Sequence, residues 1–280
     1  MDFKKAAGLL LPEQTLFTLP FAYLGVLFAR GYDARTWLLV TAALVAARTA
    51  GMAFNRAIDA RIDAANPRTK DRAIPKGEVK ISEALGLAVV SCLTLIAASF
   101  FLNTLCFYLS FAAVLLLAGY SYLKRFSAVS HFCLGLTEAA APIGGYLAVT
   151  GKPDVLSLTL GGAVLLWIAG LDIIYALQDK DFDRQAGLYS IPAAYGEKKA
   201  LAVSGICYSL SFSAMIAAGI IARMSFPYWT ALICVAAFFA YQQKAARSAD
   251  LGTAMLKIFR VNMYVSPALF AGALIDSLLR

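Results

Sequence analysis

Nine apolar runs, each close to the length of a bilayer crossing, divide this 280-residue chain from one end to the other. A spanning helix takes about 20 consecutive apolar residues. The runs fall at roughly 13–30, 36–59, 82–101, 104–122, 131–150, 156–178, 199–221, 226–243 and 260–279. The polar stretches between them are too short to fold alone. The pattern predicts an all-α polytopic membrane bundle of nine transmembrane helices with cytoplasmic loop caps. It reads as a single integral-membrane domain, 1–280. Only 15% of the residues are charged, against about 25% in soluble proteins, so a water-soluble fold is excluded.

The charges that remain are placed unevenly. Lys and Arg exceed Asp and Glu by eight, and they gather in alternate connections: Lys4 and Lys5; Arg61 to Lys80; Lys124 and Arg125; Lys180 to Lys199; and Lys244 to Arg260. The intervening connections hold only Arg30, Arg35, Lys152 and Arg223. Positive residues mark the cytoplasmic side. The amino terminus is therefore expected in the cytoplasm and the carboxy terminus outside, in a bacterial-type inner membrane. Topology accounts for the excess charge, so nucleic acid is not an expected partner. The five cysteines stand singly in apolar runs with no CxxC pair, which argues against zinc sites and disulfides. One histidine, His131, leaves no His-rich metal site. The first residues lack a small-residue cleavage site, and no removable signal peptide is expected.

Two apolar runs end in acidic stripes. Asn55, Asp59 and Asp63 follow one another at four-residue spacing, as do Asp179 and Asp183 after Asp172 and Tyr175. Such spacing puts side chains on one helix face. Carboxylates beside a bilayer are costly and are usually functional. Mg²⁺ takes oxygen ligands and is commonly shared between one or two carboxylates and a substrate phosphate. Facing stripes on the cytoplasmic side would clamp a diphosphate through Mg²⁺, with Asp59, Asp63, Asp179 and Asp183 as metal ligands. Asp181 points off the stripe. The segment after the first stripe, DAANPRTKDRAIPKGEVKISEA, carries helix breakers, and Arg68, Lys70 and Arg72 could close over the carboxylates. AGLYSIPAAYGEKKA follows the second stripe as its counterpart, so the two acidic helices are possible equivalents in two related halves.

These stretches resemble the UbiA-type intramembrane aromatic prenyltransferases: NRAIDARID, NPRTKDRAIPKG, YSYLKRF, DIIYALQDKDFDRQAGLYSIP and YQQK. The resemblance spans essentially the whole chain. It departs from the family's usual Asn-Asp at Arg56, which at i+1 is expected to face away from the stripe. It implies transfer of a polyprenyl group from polyprenyl diphosphate to an aromatic acid acceptor, with Mg²⁺ as cofactor. Asn55 would assist the metal; Arg68, Arg72 and Lys124 would neutralise phosphate. Tyr120 and Tyr175 are aromatic faces for an allylic cation, although interfacial anchoring suits them equally. Asp172 either takes the ring proton or orients the acceptor.

Arg48 lies two turns deeper than Asn55 on nearly the same face, in the family-like pattern RxxGxxxN. It is expected to hold the acceptor's carboxylate by a forked bond, with a structural pair to Glu138 as the competing assignment. His131 is expected to play only an interfacial part. The favoured acceptor is 4-hydroxybenzoate, on the way to ubiquinone; a naphthoate-type acid, for menaquinone, is the alternative. Two other classes fit the sequence less well. A CDP-alcohol phosphotransferase would need DG and AR elements that this chain lacks. A cation transporter would keep its acids near the midplane, whereas these sit at helix ends beside basic loops.

Overall fold

The computed structural model describes Leu9 and residues 12–279. These are helical, with no strand among the described residues. The long helices are α1 (Pro12–Phe28), α2 (Ala34–Ile58), α4 (Ile81–Leu102), α5 (Thr104–Leu123), α6 (Ser130–Thr150), α7 (Val155–Ala176), α10 (Glu197–Ile221), α11 (Phe226–Ala245) and α12 (Leu251–Leu278). Three short helices lie between them: α3 (Ala60–Ala65), α8 (Lys180–Gln185) and α9 (Ile191–Tyr195). Seven of the long helices are by themselves long and apolar enough to cross a membrane. α1 and α11 fall outside that set: α1 is recognised only over its shorter apolar stretch, Phe17–Phe28. The chain is thus an all-helical protein of membrane-spanning type.

One helix start departs from the apolar pattern. α12 begins at Leu251, nine residues ahead of the expected run, and takes in Lys257 and Arg260. A helix stops where its backbone groups are capped, not where its apolar face ends. Here Asp250 supplies the cap, accepting from the Thr253 N–H at 3.1 Å.

Packing runs round a closed set of neighbours. α2 lies along α4, α6 along α7, α7 along α10, and α11 along α12, while α1 joins α6 to α12. Helices in lipid associate through small residues and interhelical hydrogen bonds, because lipid offers no hydrophobic gain. Both devices are present. A Cβ at Gly25 would sit 2.1 Å from the Pro142 carbonyl, and one at Gly145 would sit 2.0 Å from the Ala22 carbonyl, so α1 and α6 cross backbone to backbone. The hydroxyls of Ser211, Ser204 and Tyr228 donate to the carbonyls of Ala163, Gly170 and Met215 at 2.7, 2.8 and 2.8 Å. The five cysteines are free.

The two acidic stripes repeat one local design. α2 ends at Ile58, Asp59 takes φ −90° and ψ 3°, and a six-residue helix follows. α7 passes through a 3₁₀ turn to Asp179, at φ −98° and ψ 0°, and again a six-residue helix follows. Such bridge-region conformations are sparse and are common at functional sites. Beyond each short helix a glycine reverses the chain in the left-handed region, Gly77 at +75° and Gly187 at +67°.

Candidate active site

The helix ends carrying the two stripes meet at one cavity of about 390 Å³. Asp59, Asp63, Asp179, Asp183, Asn55 and Asp172 all line it. Each of the first three is held by a cation. Lys124 Nζ reaches Asp59 Oδ2 at 2.5 Å, with Arg125 3.4 Å from the other oxygen. Arg72 Nη1 donates to Asp63 between its two oxygens, at 2.7 and 2.8 Å. Arg68 Nε donates to Asp179 Oδ1 at 2.8 Å, across 111 residues of sequence. Burial pushes the Asp59 carboxyl up from its ordinary range, and Lys124 partly offsets this. For Arg68, burial opposes the charge, but the bond to Asp179 outweighs it and raises the guanidinium.

Asn55 donates to Asp59 Oδ2 and to Ser121 Oγ, both at 3.1 Å. Its amide oxygen accepts nothing among the described residues, so a donor oxygen remains in the stripe. Asn66, unremarked in the sequence, adds a bond to Asp179 at 2.9 Å. Among the described residues no three His, Cys, Asp or Glu side chains converge tightly enough to cage a metal ion. Each arm instead offers two carboxylates, the number Mg²⁺ takes when water and phosphate complete its shell. The donor set therefore fits that ion.

Tyr175 and Tyr120 both line the cavity. The Tyr175 hydroxyl accepts from Arg68 at 2.9 Å, and the Arg68 guanidinium lies 4.9 Å from the ring centre. Lys70 is exposed and lies outside the cavity wall. A turn holds Lys70 N to Asn66 O, and its side chain is left to solvent. Asp181 is exposed, as its off-stripe position implied.

Arg56 does not face away. It is only 7% exposed and lines the cavity with Asn55. The cavity wraps more than one face of α2, so an i+1 offset does not remove a side chain from it. Arg56 forms no ion pair among the described residues. Arg48 is paired with Glu138, whose second oxygen accepts from Thr18 at 3.0 Å. The structural pair with Glu138 is thus the assignment present in this structure.

His131 is not an interfacial bystander. It is buried, its Nδ1 lies 2.6 Å from Asp172 Oδ2, and its Nε2 accepts the Ile191 N–H at 3.1 Å. Nothing in a lone histidine at a helix start announces this, because both partners lie far along the chain.

A second cavity, of about 360 Å³, lies beside the first between α2, α4, α5 and α6. Its wall is almost wholly apolar, with Val40, Leu44, Leu95, Leu109 and Leu147 among its residues. Arg48, Met52, Tyr120, Leu134 and Glu138 line both cavities and form the boundary between them.

Residues 18–264 match the UbiA prenyltransferase family. The 4-hydroxybenzoate octaprenyltransferase of Xanthomonas campestris pv. campestris (strain B100) is 32% identical over 237 residues, 85% of this chain and 78% of the relative. That of Aeromonas hydrophila subsp. hydrophila is 30% identical over 246 residues, 88% of this chain and 85% of its own length. Among solved structures, the apo UbiA homologue from Aeropyrum pernix K1 superposes with a TM-score of 0.87 at 32% identity, covering 94% of this chain and 98% of that one. A homologue from Archaeoglobus fulgidus, solved with DMAPP and Mg²⁺, shares the fold at a TM-score of 0.77 and 18% identity, covering 99% and 100%. From its helix order, its paired acidic stripes and these likenesses, the chain is a member of the UbiA prenyltransferase family.

Proposed function

We propose that this enzyme transfers a polyprenyl group from polyprenyl diphosphate to the ring of an aromatic acid, with 4-hydroxybenzoate as the first choice, in quinone biosynthesis. The observation that carries the reading is two unlike cavities side by side with a shared boundary. A charged chamber suits a diphosphate and an acid, and an apolar one suits a prenyl tail. All nine long helices are taken as spans of a single domain in the inner membrane. The charged chamber faces the cytoplasm, as the basic loops beside it imply.

Asp59, Asp63, Asp179 and Asp183, with Asn55, hold Mg²⁺ in this reading. When bound, the metal neutralises the diphosphate as its bridging oxygen takes up charge. Arg68, Arg72 and Lys124 exchange their carboxylate partners for phosphate oxygens, placing positive charge where the leaving group develops negative charge. Tyr120, at the shared boundary, presents a ring face to the allylic carbon. Tyr175, already engaged with Arg68, aligns that cation on the diphosphate. The acceptor's carboxylate meets Arg48 or Arg56, and Asp172 takes the ring proton. A naphthoate-type acid is the second reading, favoured by Arg56: an additional cation in the wall can serve an acid group set farther from Arg48.

The test is an acceptor panel with purified protein in detergent, Mg²⁺ and labelled polyprenyl diphosphate. A prenylated 4-hydroxybenzoate supports the first reading, and a prenylated naphthoate the second. No product with any aromatic acid, together with Mg²⁺-coupled flux in liposomes, would sink the transferase reading.

A further inference from the structure

The His131 imidazole joins three segments that the proposed chemistry must keep in register. Ile191 is the first residue of α9, and its N–H lies in the first turn, where no intrahelical acceptor exists. The Ser190 hydroxyl takes the Ala193 N–H at 3.3 Å, and His131 Nε2 takes that of Ile191. A ring nitrogen that accepts an N–H carries no proton of its own, so the proton sits on Nδ1. Nδ1–H then donates to Asp172 Oδ2 at 2.6 Å. Asp172 Oδ1 accepts no hydrogen bond among the described residues, and the residue lines the charged cavity.

The chain just before Ile191 is tied to the diphosphate side. Leu188 N donates to Asp183 O at 2.8 Å, and Tyr189 N donates to Lys124 O at 2.7 Å. His131 therefore links the acid beside the acceptor to the segment that packs on the diphosphate-binding residues. At 3% exposure the ring is locked in that geometry.

We propose that His131 is a positioning residue: its Nδ1–H, set by the Ile191 N–H, aims Asp172 at the ring proton of the acceptor. This rests on the reading of Asp172 as the base. In that step the ring carbon bonds to the allylic carbon as the bond from that carbon to the diphosphate oxygen breaks. The ring C–H pair then restores aromaticity and the proton passes to Asp172 Oδ1. Diphosphate departs with the electrons of the broken bond, and water later takes the proton from Asp172.

The experiment compares wild type with His131→Ala, His131→Gln, Asp172→Asn and the double variant His131→Ala/Asp172→Asn, in detergent with Mg²⁺ and polyprenyl diphosphate. The acceptor is 4-hydroxybenzoate, or the naphthoate acid if the panel selects it, protiated or deuterated on the ring. His131→Ala is expected to lower kcat on the order of 10-fold to 100-fold, within the span of general-base contributions. Both KM values should hold within about twofold, and the isotope effect should rise as proton loss slows. His131→Gln should recover part of the rate, since a carboxamide can accept from Ile191 and donate to Asp172. The double variant should be no slower than Asp172→Asn alone. A His131→Gln enzyme that folds but shows the full loss overturns the proposal. So does a His131→Ala loss with an unchanged isotope effect. Full activity in Asp172→Asn would instead overturn the base assignment on which the proposal rests.

Discussion

At the scale of single residues, the site is a set of charges held ready against one another. Asp59 is 1% exposed yet sits between Lys124 and Arg125, an arrangement that keeps a buried carboxylate affordable only while its partners stay. Asp59→Ala and Asp179→Ala are expected to cut turnover by on the order of 100-fold or more, while size-exclusion profiles in detergent stay monodisperse. A near-normal rate in either variant would remove the bridging-metal assignment. Arg56 is the opposite case, a buried cation with no ion pair among the described residues. Removing a charge of that kind relieves desolvation. Arg56→Gln should therefore raise the melting temperature by a few degrees while raising KM for an anionic substrate by roughly 10-fold, the trade between stability and function expected of a binding residue. An unchanged KM for both substrates would show Arg56 to be structural. Arg48 makes the contrast: with Glu138 bound to it, Glu138→Gln should lower the acceptor KM if Arg48 holds the acid, and leave it unchanged if Arg56 does. Of these residues the stripes were legible in the sequence, because four-residue spacing is a local property. The burial of Arg56 was not, because it depends on how far the cavity wraps round α2.

At the scale of elements, the helices begin and end where capping permits. α7 is opened by Asp154, which accepts from Ser157 N at 2.9 Å while the Ser157 hydroxyl answers to Asp154 N at the same distance. The Tyr146 hydroxyl donates to the same carboxylate at 2.5 Å. Burial opposes the charge, but the Ser157 N–H and the Tyr146 hydroxyl outweigh it and hold this carboxyl below its ordinary range. A lowered folded-state value means that the stabilisation is complete at neutral pH and is lost as pH falls through that value. Asp154→Ala should cost about 1 kcal/mol at neutral pH. Thermal melts should show the gap to wild type closing as the medium is acidified below the ordinary carboxylate range. A gap that persists unchanged in acid would assign the loss to packing instead. The matched breaks at Asp59 and Asp179 belong to this scale too. Apolar periodicity located both helix ends within a few residues, but it carries no signal for the bridge conformation that turns each stripe into the cavity.

At the scale of the whole molecule, α1 and α6 make one of the tightest helix crossings among the described residues. Gly25 and Gly145 allow their backbones to touch. Gly145→Ala is expected to destabilise the protein by about 1–3 kcal/mol through overpacking. Gly162→Ala, where a Cβ would meet nothing within 4 Å, should hold or slightly raise the melting temperature in detergent, since alanine favours a helix over glycine. Equal effects from the two would separate this crossing from stability. Apolar run length determined the helical class and nearly all of the limits of the long helices, because a bilayer admits few ways to satisfy a backbone, although only seven of those helices are by themselves long and apolar enough to span. Residue spacing likewise set the carboxylates in two stripes, and both line one cavity. Tertiary structure alone decided the pairings: Arg68 with Asp179, Lys124 with Asp59, Arg48 with Glu138, and His131 between Asp172 and Ile191. It also opened the apolar chamber beside the charged one. These contacts join residues from 41 to 111 positions apart, and which helix lies beside which follows from small residues and interhelical bonds, not from the hydropathy of any one run.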